Sequence, residues 1–336
     1  MAMRKMFGVV IGIFGLVATT AMAETTWFNN NLNSWIMVSP AQLYQVQGNK
    51  VDASFEHKTG TNTTDTGTKT ETELTGNSIG AIGVYSVGTD LKTGIAAGMN
   101  MVNLKTKGTD NKSDTKVTYL TPQAAYQVQN MASVGVALDA MFDSTDFGNS
   151  VKYDTSYFVV RPGALYSTKN TEVGLTYLTQ VDQKAKTTVN GLDLEFPVQE
   201  PAEVIIHGRY AMSQDLALGG MLKHVMYSNL EQTDATTQTT WKNKDQEILR
   251  ATAEFTTGAV KTEGGLAYTT AYYKDKDHMD NTNIGTMGLN AAADYSINKE
   301  AAVGGGLEYN FGNDKAGTTK FATNDMTIAV RGKVAF

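Results

Sequence analysis

The strongest constraint on this chain is a polarity that flips from one residue to the next along many separate stretches. In an extended strand successive side chains point to opposite faces, so each stretch presents one apolar and one polar surface. The last stretch shows this best. Met326, Ile328, Val330, Gly332, Val334 and Phe336 share one face, and Thr327, Ala329, Arg331, Lys333 and Ala335 share the other. Val303, Gly305, Leu307, Tyr309 and Phe311 repeat it against Gly304, Gly306, Glu308 and Asn310. Val134, Val136, Leu138, Ala140 and Phe142 form a third apolar face, and Val173, Leu175, Tyr177 and Val181 a fourth. Segments apolar at helical period are absent, so the fold class is all-β, with one sheet face meeting an apolar phase.

About fourteen such segments follow one another, at 50–58, 77–87, 91–105, 117–129, 131–143, 153–168, 171–181, 202–212, 214–229, 246–257, 259–274, 284–297, 299–311 and 324–336. Short turns fall at Gly88-Thr89-Asp90, near Asn130, and at Lys169-Asn170, Ser213-Gln214, Gly258 and Asn298. Between these turns lie long polar connections at 59–76, 106–116, 144–152, 182–201, 230–245, 275–283 and 312–323, which are expected to be loops. Tight turns alternating with long connections are the pattern of a transmembrane, up-and-down antiparallel β-barrel. A soluble β-sandwich would account for strands and turns but not for this alternation. Only a closed sheet satisfies its backbone in lipid. A terminal aromatic such as Phe336 on the apolar face resembles the outer-membrane porins, and an even strand count places both ends of the barrel on the periplasmic side.

The first 23 residues are expected to belong to export. Arg4 and Lys5 precede the apolar run from Phe7 to Val17, and Ala21-Met22-Ala23 fits a small-x-small cleavage site. The run is shorter than the roughly 20 residues a membrane-spanning helix needs. Cleavage before Glu24 would take the formal net charge from −6 to −8. The resulting division is a signal peptide at 1–23, an N-terminal plug segment at 24–49 and the barrel at 50–336. The destination is the outer membrane of a Gram-negative bacterium.

Composition removes several classes of function. With no Cys there is no disulfide scaffold, thiolate metal site, Cys nucleophile or lipid-anchored N-terminal Cys. An acidic chain lacks the basic surface of a nucleic-acid binder. His57, His207, His224 and His278 have no metal-ligand spacing, and no G-x-S-x-G occurs. His207 and His224 sit on neighbouring strands but at opposite parities or depths. Neither an enzyme nor a cofactor is expected.

Fourteen strands lie between the eight that side chains fill and the 16 to 18 that leave an aqueous channel. The lumen is therefore a narrow pore or a plugged one. Residues 24–49 carry Trp27, Phe28, Trp35, Ile36 and Met37 among Asn and Ser, including two of the three Trp of the chain. They form either a periplasmic leader or an internal plug, and exposed aromatics at this density favour the plug. Strand parity turns Arg161, Arg209, Arg250 and Arg331 away from the apolar faces, toward the lumen. There they brace the barrel against carboxylates such as Glu254 and Glu308, or grip the carboxylate of a ligand bidentately. Some strands are apolar on both faces: Leu216, Leu218 and Leu222 oppose Met221 and Val225, and Ile82 and Val84 oppose Tyr85 and Val87. Apolar residues inside a barrel imply plug contacts or an apolar substrate.

Val38-Ser39-Pro40-Ala41-Gln42-Leu43, followed by Gly48-Asn49-Lys50-Val51, is similar to the Asn-Pro-Ala-x-Leu lead-in to the first strand of the FadL family of outer-membrane transporters for long-chain fatty acids and aromatic hydrocarbons. The segment from Tyr119 to Val128 resembles its Pro-x-x-Ala-Tyr strand. Pro201-Ala202-Glu203, with Tyr210 and Leu216-Ala217-Leu218, resembles its Pro–strand–Tyr–hairpin segment. Ser39 stands where the family has Asn, and the family's longer Gly/Ala-rich hatch is shortened here. The resemblance implies fourteen strands, an N-terminal hatch, a monomer, and passive uptake of a hydrophobic small molecule that leaves sideways through a gap in the wall. Trp27, Phe28, Trp35, Ile36 and Met37 would then meet the substrate, and a lumen Arg (Arg161, Arg209 or Arg250) any carboxylate. The partners are outer-membrane lipid and lipopolysaccharide. The competing functions are a general diffusion porin for small polar solutes and a structural or adhesive surface barrel.

Overall fold

The computed structural model describes residues 39–335 apart from 47, 66–68, 109–111, 148–150, 190–191, 227–230, 234–239, 243–244, 274–281, 299 and 317–318. A 3-10 turn, Pro40–Gln45, precedes β1 (Lys50–Asp65), β2 (Lys69–Val87), β3 (Leu91–Thr106), β4 (Lys112–Gln129), β5 (Ala132–Asp146), β6 (Val151–Ser167), β7 (Thr171–Leu178) and β8 (Val181–Val189). Then come β9 (Leu192–Glu200), β10 (Glu203–Ala211), β11 (Leu216–Val225), β12 (Glu231–Thr233), β13 (Thr240–Lys242) and β14 (Gln246–Thr257). The chain ends with β15 (Val260–Tyr273), β16 (Thr282–Ser296), β17 (Ala301–Ala316) and β18 (Thr319–Ala335). β7 with β8, and β9 with β10, are each one wall strand with a break, and β12–β13 is a separate small hairpin. The wall therefore has 14 antiparallel strands. It closes where β1 pairs with β18, from Lys50↔Ala335 to Asp65↔Lys320.

Closure follows from the alternation in the sequence. Met326, Ile328 and Val330 point outward, while Asp325, Thr327 and Ala329 are buried toward the lumen. Every wall strand carries exposed large apolar side chains on its outer face, such as Phe55, Ile79, Ile95, Leu120, Phe158, Leu175, Leu218, Leu266 and Val303. That apolar band is what lipid would cover, and the pairing of β1 with β18 removes the sheet's two terminal edges. The short turns stand where the sequence places them, with left-handed backbone at Gly88 and Gly258.

Most of the long connections are strand rather than loop. β1 and β2 continue through 59–65 and 69–76, β8 and β9 occupy most of 182–201, and β17 and β18 leave only 317–318 between them. Beyond the lipid band neither face of these extensions needs to be apolar, so the alternation fades. The backbone ladder continues, helped by β-branched residues such as Thr61, Thr63 and Thr64. At about 3.3 Å per residue, a sixteen-residue strand reaches roughly 50 Å, well past a bilayer core of about 30 Å. One assigned face changes, and one outward residue is covered. Val181 lies inside the barrel instead of sharing the outer face of Val173, Leu175 and Tyr177, because the break at Thr179-Gln180 inverts the parity. Ala140 keeps its parity but is covered, sitting between its register partners Leu120 and Phe158. Phe336 and the segment 274–281, which includes His278, lie outside the described residues.

Candidate functional site

Residues 39–46 lie inside the barrel, at the end where the short turns are. Proline opens the 3-10 turn with its φ already set. The turn is held by the Gln42 and Val46 N–H groups, which donate to the Ser39 and Leu43 carbonyls at 3.1 Å each. It rests on bare backbone. A Cβ at Gly135 would stand 2.6 Å from the Ala41 nitrogen and the Pro40 carbonyl carbon, and one at Gly163 would stand 2.8 Å from Ser39 Oγ. Only glycine on β5 and β6 allows the segment to pack this closely.

Side chains then anchor it. Leu43, fully buried, and Val46 form one cluster with Ile82, Val84, Ala96 and Ala125. Ser133 Oγ donates to the Ala41 carbonyl at 3.0 Å, and Tyr44 Oη donates to Thr89 O at 2.9 Å. Lys92 Nζ donates to the Val46 carbonyl and sits 5.4 Å from the centre of the Tyr44 ring. The double-sided strand at 77–87 is thereby explained: Ile82 and Val84 face Leu43 and Val46, while Tyr85 and Val87 face outward. In β11, Leu218 and Leu222 point outward, and Ala217 and Val225 are buried inside.

The lumen has two unlike walls. On β4, β5, β6 and the start of β8, a second buried cluster joins Tyr119, Met141, Tyr157, Val159 and Val181, with Val117 and Leu178 packed against it. Tyr119 lies across the inner face of β2 and β3, since a Cβ at Gly80 would come 2.5 Å from its hydroxyl. The wall of β1, β17 and β18 is polar. Asn310 Nδ2 donates to Glu308 Oε1 at 2.6 Å and to Asp325 Oδ1 at 3.0 Å, and Lys58 Nζ lies 3.4 Å from Asp325 Oδ2.

Arg161, Arg209 and Arg250 stand on the inward parity of β6, β10 and β14. Arg161 donates from Nε and Nη2 to the two carboxylate oxygens of Asp139, at 2.9 and 2.8 Å, and Thr121 Oγ1 donates to the same carboxylate at 2.8 Å. Arg209 donates to both oxygens of Glu254, which also takes Lys261 Nζ at 3.0 Å. The barrel thus brings Arg161 and Arg209 onto its own carboxylates. His207 is buried in the lumen, and His224 is on the outer parity against Glu247 at 2.6 Å, so the two do not meet. Among the described residues no group of His, Asp and Glu could hold a metal. Trp27, Phe28, Trp35, Ile36 and Met37 lie outside the described residues, as does the Arg331 side chain.

The apolar cluster around Tyr157 was not singled out from the sequence. Its signal was present: Tyr119, Met141, Tyr157 and Val159 occupy the parity opposite to the outward Leu120, Phe142, Phe158 and Val160. Two-sided apolar strands in a barrel mark the inner as well as the outer surface.

No protein-family model matches the chain, and no curated protein matches it in sequence. Solved structures do match in fold. A FadL homologue of Pseudomonas aeruginosa superposes with a TM-score of 0.72 at 11% identity, covering 93% of this chain and 96% of that one. The toluene transporter TbuX of Ralstonia pickettii gives 0.65 at 14%, covering 90% and 93%. CymD, a monoaromatic hydrocarbon channel, gives 0.61 at 17%, covering 90% and 92%.

Proposed function

We propose that this protein is an outer-membrane channel for the passive uptake of small hydrophobic molecules. The observation that carries the proposal is the apolar inner wall of Tyr119, Met141, Tyr157, Val159 and Val181, in a lumen whose short-turn end is occupied by residues 39–46. A water-filled diffusion pore gains nothing from apolar side chains on its inner surface, whereas a hydrophobic solute gains about 25 cal/mol for each Å2 it buries there. The similar structures include a toluene transporter and a monoaromatic hydrocarbon channel, which supports this reading. The outward apolar band on every wall strand supports contact with membrane lipid and lipopolysaccharide all round, as a monomer.

The lumen chemistry favours uncharged solutes over carboxylates. At Arg161 or Arg209 a fatty-acid head group would have to displace Asp139 or Glu254, exchanging one carboxylate for another with no gain in pairing. Residues 24–38, with Trp27, Phe28, Trp35, Ile36 and Met37, complete the plug in this proposal and meet the solute. The polar wall of Lys58, Glu308, Asn310 and Asp325 favours a second reading, general diffusion of small polar solutes.

The deciding experiment titrates the refolded protein with a neutral fluorescent aromatic and with a fluorescent fatty acid, for wild type and Trp35→Ala. Saturable binding of the neutral probe, weakened by the substitution, is the expected result. No binding of either probe, together with steady ion conductance in planar bilayers, would make the protein a diffusion porin.

A further inference from the structure

The outer surface of the barrel carries a groove separate from the lumen. A cavity of about 480 Å3 is lined by Lys116 and Thr118 of β4, Phe142 and Ser144 of β5, and Asp154 and Ser156 of β6. All six share the outward parity of Leu120 and Phe158, whereas Thr115, Tyr119 and Thr145, which alternate with them, are buried on the other face. The register sets the six in two rows, Thr118↔Phe142↔Ser156 and, nearer the long connections, Lys116↔Ser144↔Asp154. The volume lies within the roughly 300–1,000 Å3 of small-molecule sites.

The height of the groove narrows what it can hold. On these strands the outer face is apolar as far as Leu120, Phe142 and Phe158. Beyond them it is polar, with Lys116, Asp114 and Lys112 on β4, Ser144 and Asp146 on β5, and Ser156, Asp154 and Lys152 on β6. The change comes toward the long connections, the outer end of a barrel of this kind. The Phe142 ring therefore lies where acyl chains end, and the Lys116 row where headgroups begin. Lys116 brings the charge. Among the described residues no carboxylate pairs with it, while Lys112 and Asp114 beside it pair with each other at 3.6 Å. Lys105 faces Lys112 directly across β3 and β4, two cations in register whose repulsion a neighbouring anion relieves. Asp154 closes the other end of the row, two strand spacings or roughly 10 Å from Lys116. A bare phosphate in the groove would be held by the ammonium and repelled by the carboxylate. A phosphorylated sugar satisfies both ends, since its hydroxyls donate to a carboxylate.

We propose that this groove binds the phosphorylated hexosamine headgroup of one lipopolysaccharide molecule. Lys116 takes the phosphate, Ser144, Ser156 and Asp154 take sugar hydroxyls, and an acyl chain runs past Phe142 along Leu120 or Phe158. The assignment rests on the lipopolysaccharide contact proposed above, fixes it at one place on the wall, and is independent of what crosses the lumen.

Native mass spectrometry of the refolded barrel, titrated with deep-rough lipopolysaccharide, tests this. Wild type is expected to retain one molecule, and Lys116→Glu to bind it at least tenfold more weakly. Ser144→Trp, which fills the groove without altering charge, weakens binding by a comparable factor. Lys169→Glu makes the same charge change at the short-turn end and binds as wild type does. No retained molecule, full binding by Ser144→Trp, or equal loss in Lys169→Glu would each overturn the groove as the site. Phosphatidylglycerol offers a phosphate without a hexosamine and is expected to bind at least tenfold more weakly than lipopolysaccharide. Retention as tight, with the same dependence on Lys116, would overturn the sugar-phosphate assignment. Titration with the neutral aromatic keeps this proposal apart from uptake. Lys116→Glu leaves that titration unchanged, and loss of both ligands would mean a damaged barrel and overturn the groove. A wild type that holds lipopolysaccharide but not the aromatic would overturn uptake and leave the groove standing.

Discussion

Arg161 and Asp139 form a two-pronged ion pair inside the barrel, with Nε and Nη2 at 2.9 and 2.8 Å from the two carboxylate oxygens. The arginine side chain is 2% exposed. Removing one partner of such a pair leaves a buried charge uncompensated, at a cost of about 3–5 kcal/mol, while replacing both by apolar groups is often neutral. Asp139→Ala is therefore expected to lower the temperature at which the barrel unfolds in detergent, and Asp139→Leu/Arg161→Met to recover most of the loss. A double variant as unstable as the single one would refute this reading of the pair.

Gly135 is the position where the wall tolerates no side chain. Gly135→Val would drive its Cβ into the backbone of Pro40 and Ala41, so the plug segment has to leave its seat. The expected outcome is a barrel that still folds but conducts ions in planar bilayers several times more than wild type. Unchanged conductance would mean that residues 39–46 do not limit the pore.

Leu43 secures the same segment by a different force. Leu→Ala at a fully buried site costs about 2–5 kcal/mol, which here falls on the docking of the plug rather than on the barrel. Leu43→Ala should give flickering conductance with an unaltered barrel unfolding temperature. A drop in that temperature would show instead that the plug contributes to barrel stability.

At the rim, beyond the lipid band, Glu71 lies between Lys69 and Lys107, with Nζ atoms at 3.0 and 3.1 Å. Hydrogen bonds from Lys69 and then Lys107, reinforced by their charges, hold its carboxyl below the ordinary value of 4.5. Because the folded value is the lower one, the contact contributes above pH 4.5 and is lost as pH falls through the lowered value. The Lys107 N–H, which donates to the Glu71 carbonyl at 2.8 Å, reports on it. Its protection against hydrogen exchange should fall over that acid range in wild type and already be reduced at neutral pH in Glu71→Gln. A protection factor flat across the range would remove the pair from any role at the rim.

The sequence could be read where one surface met lipid and not where it met water or protein. Met326, Ile328 and Val330 revealed their strand and its face because the outer environment demands one polarity at every second residue. Thr61 to Asp65 belong to a strand as regular in its pairing, yet they look like loop, because water accepts either polarity. Val181 was assigned to the wrong face because a single extra residue between Thr179 and Lys186 inverts all that follows, and parity cannot detect such an insertion. Inward parity of Arg161 and Arg209 was legible, but their partners were not equally so. Glu254 was named as a possible brace from the sequence, whereas Asp139 emerges only from the register that sets β5 against β6.

From the amino-acid order alone come the all-β class, the strand count, the sites of the tight turns, and the inward parity of the arginines, since each follows from the chain repeating a local period against an apolar phase. Folding in three dimensions decides the rest. It lays Pro40 and Ala41 on Gly135, gathers Tyr119, Met141, Tyr157 and Val181 from four strands into one apolar wall, and gives each of two arginines a carboxylate. These are contacts between residues far apart in the chain, and their energies depend on register and closure, which no local period encodes.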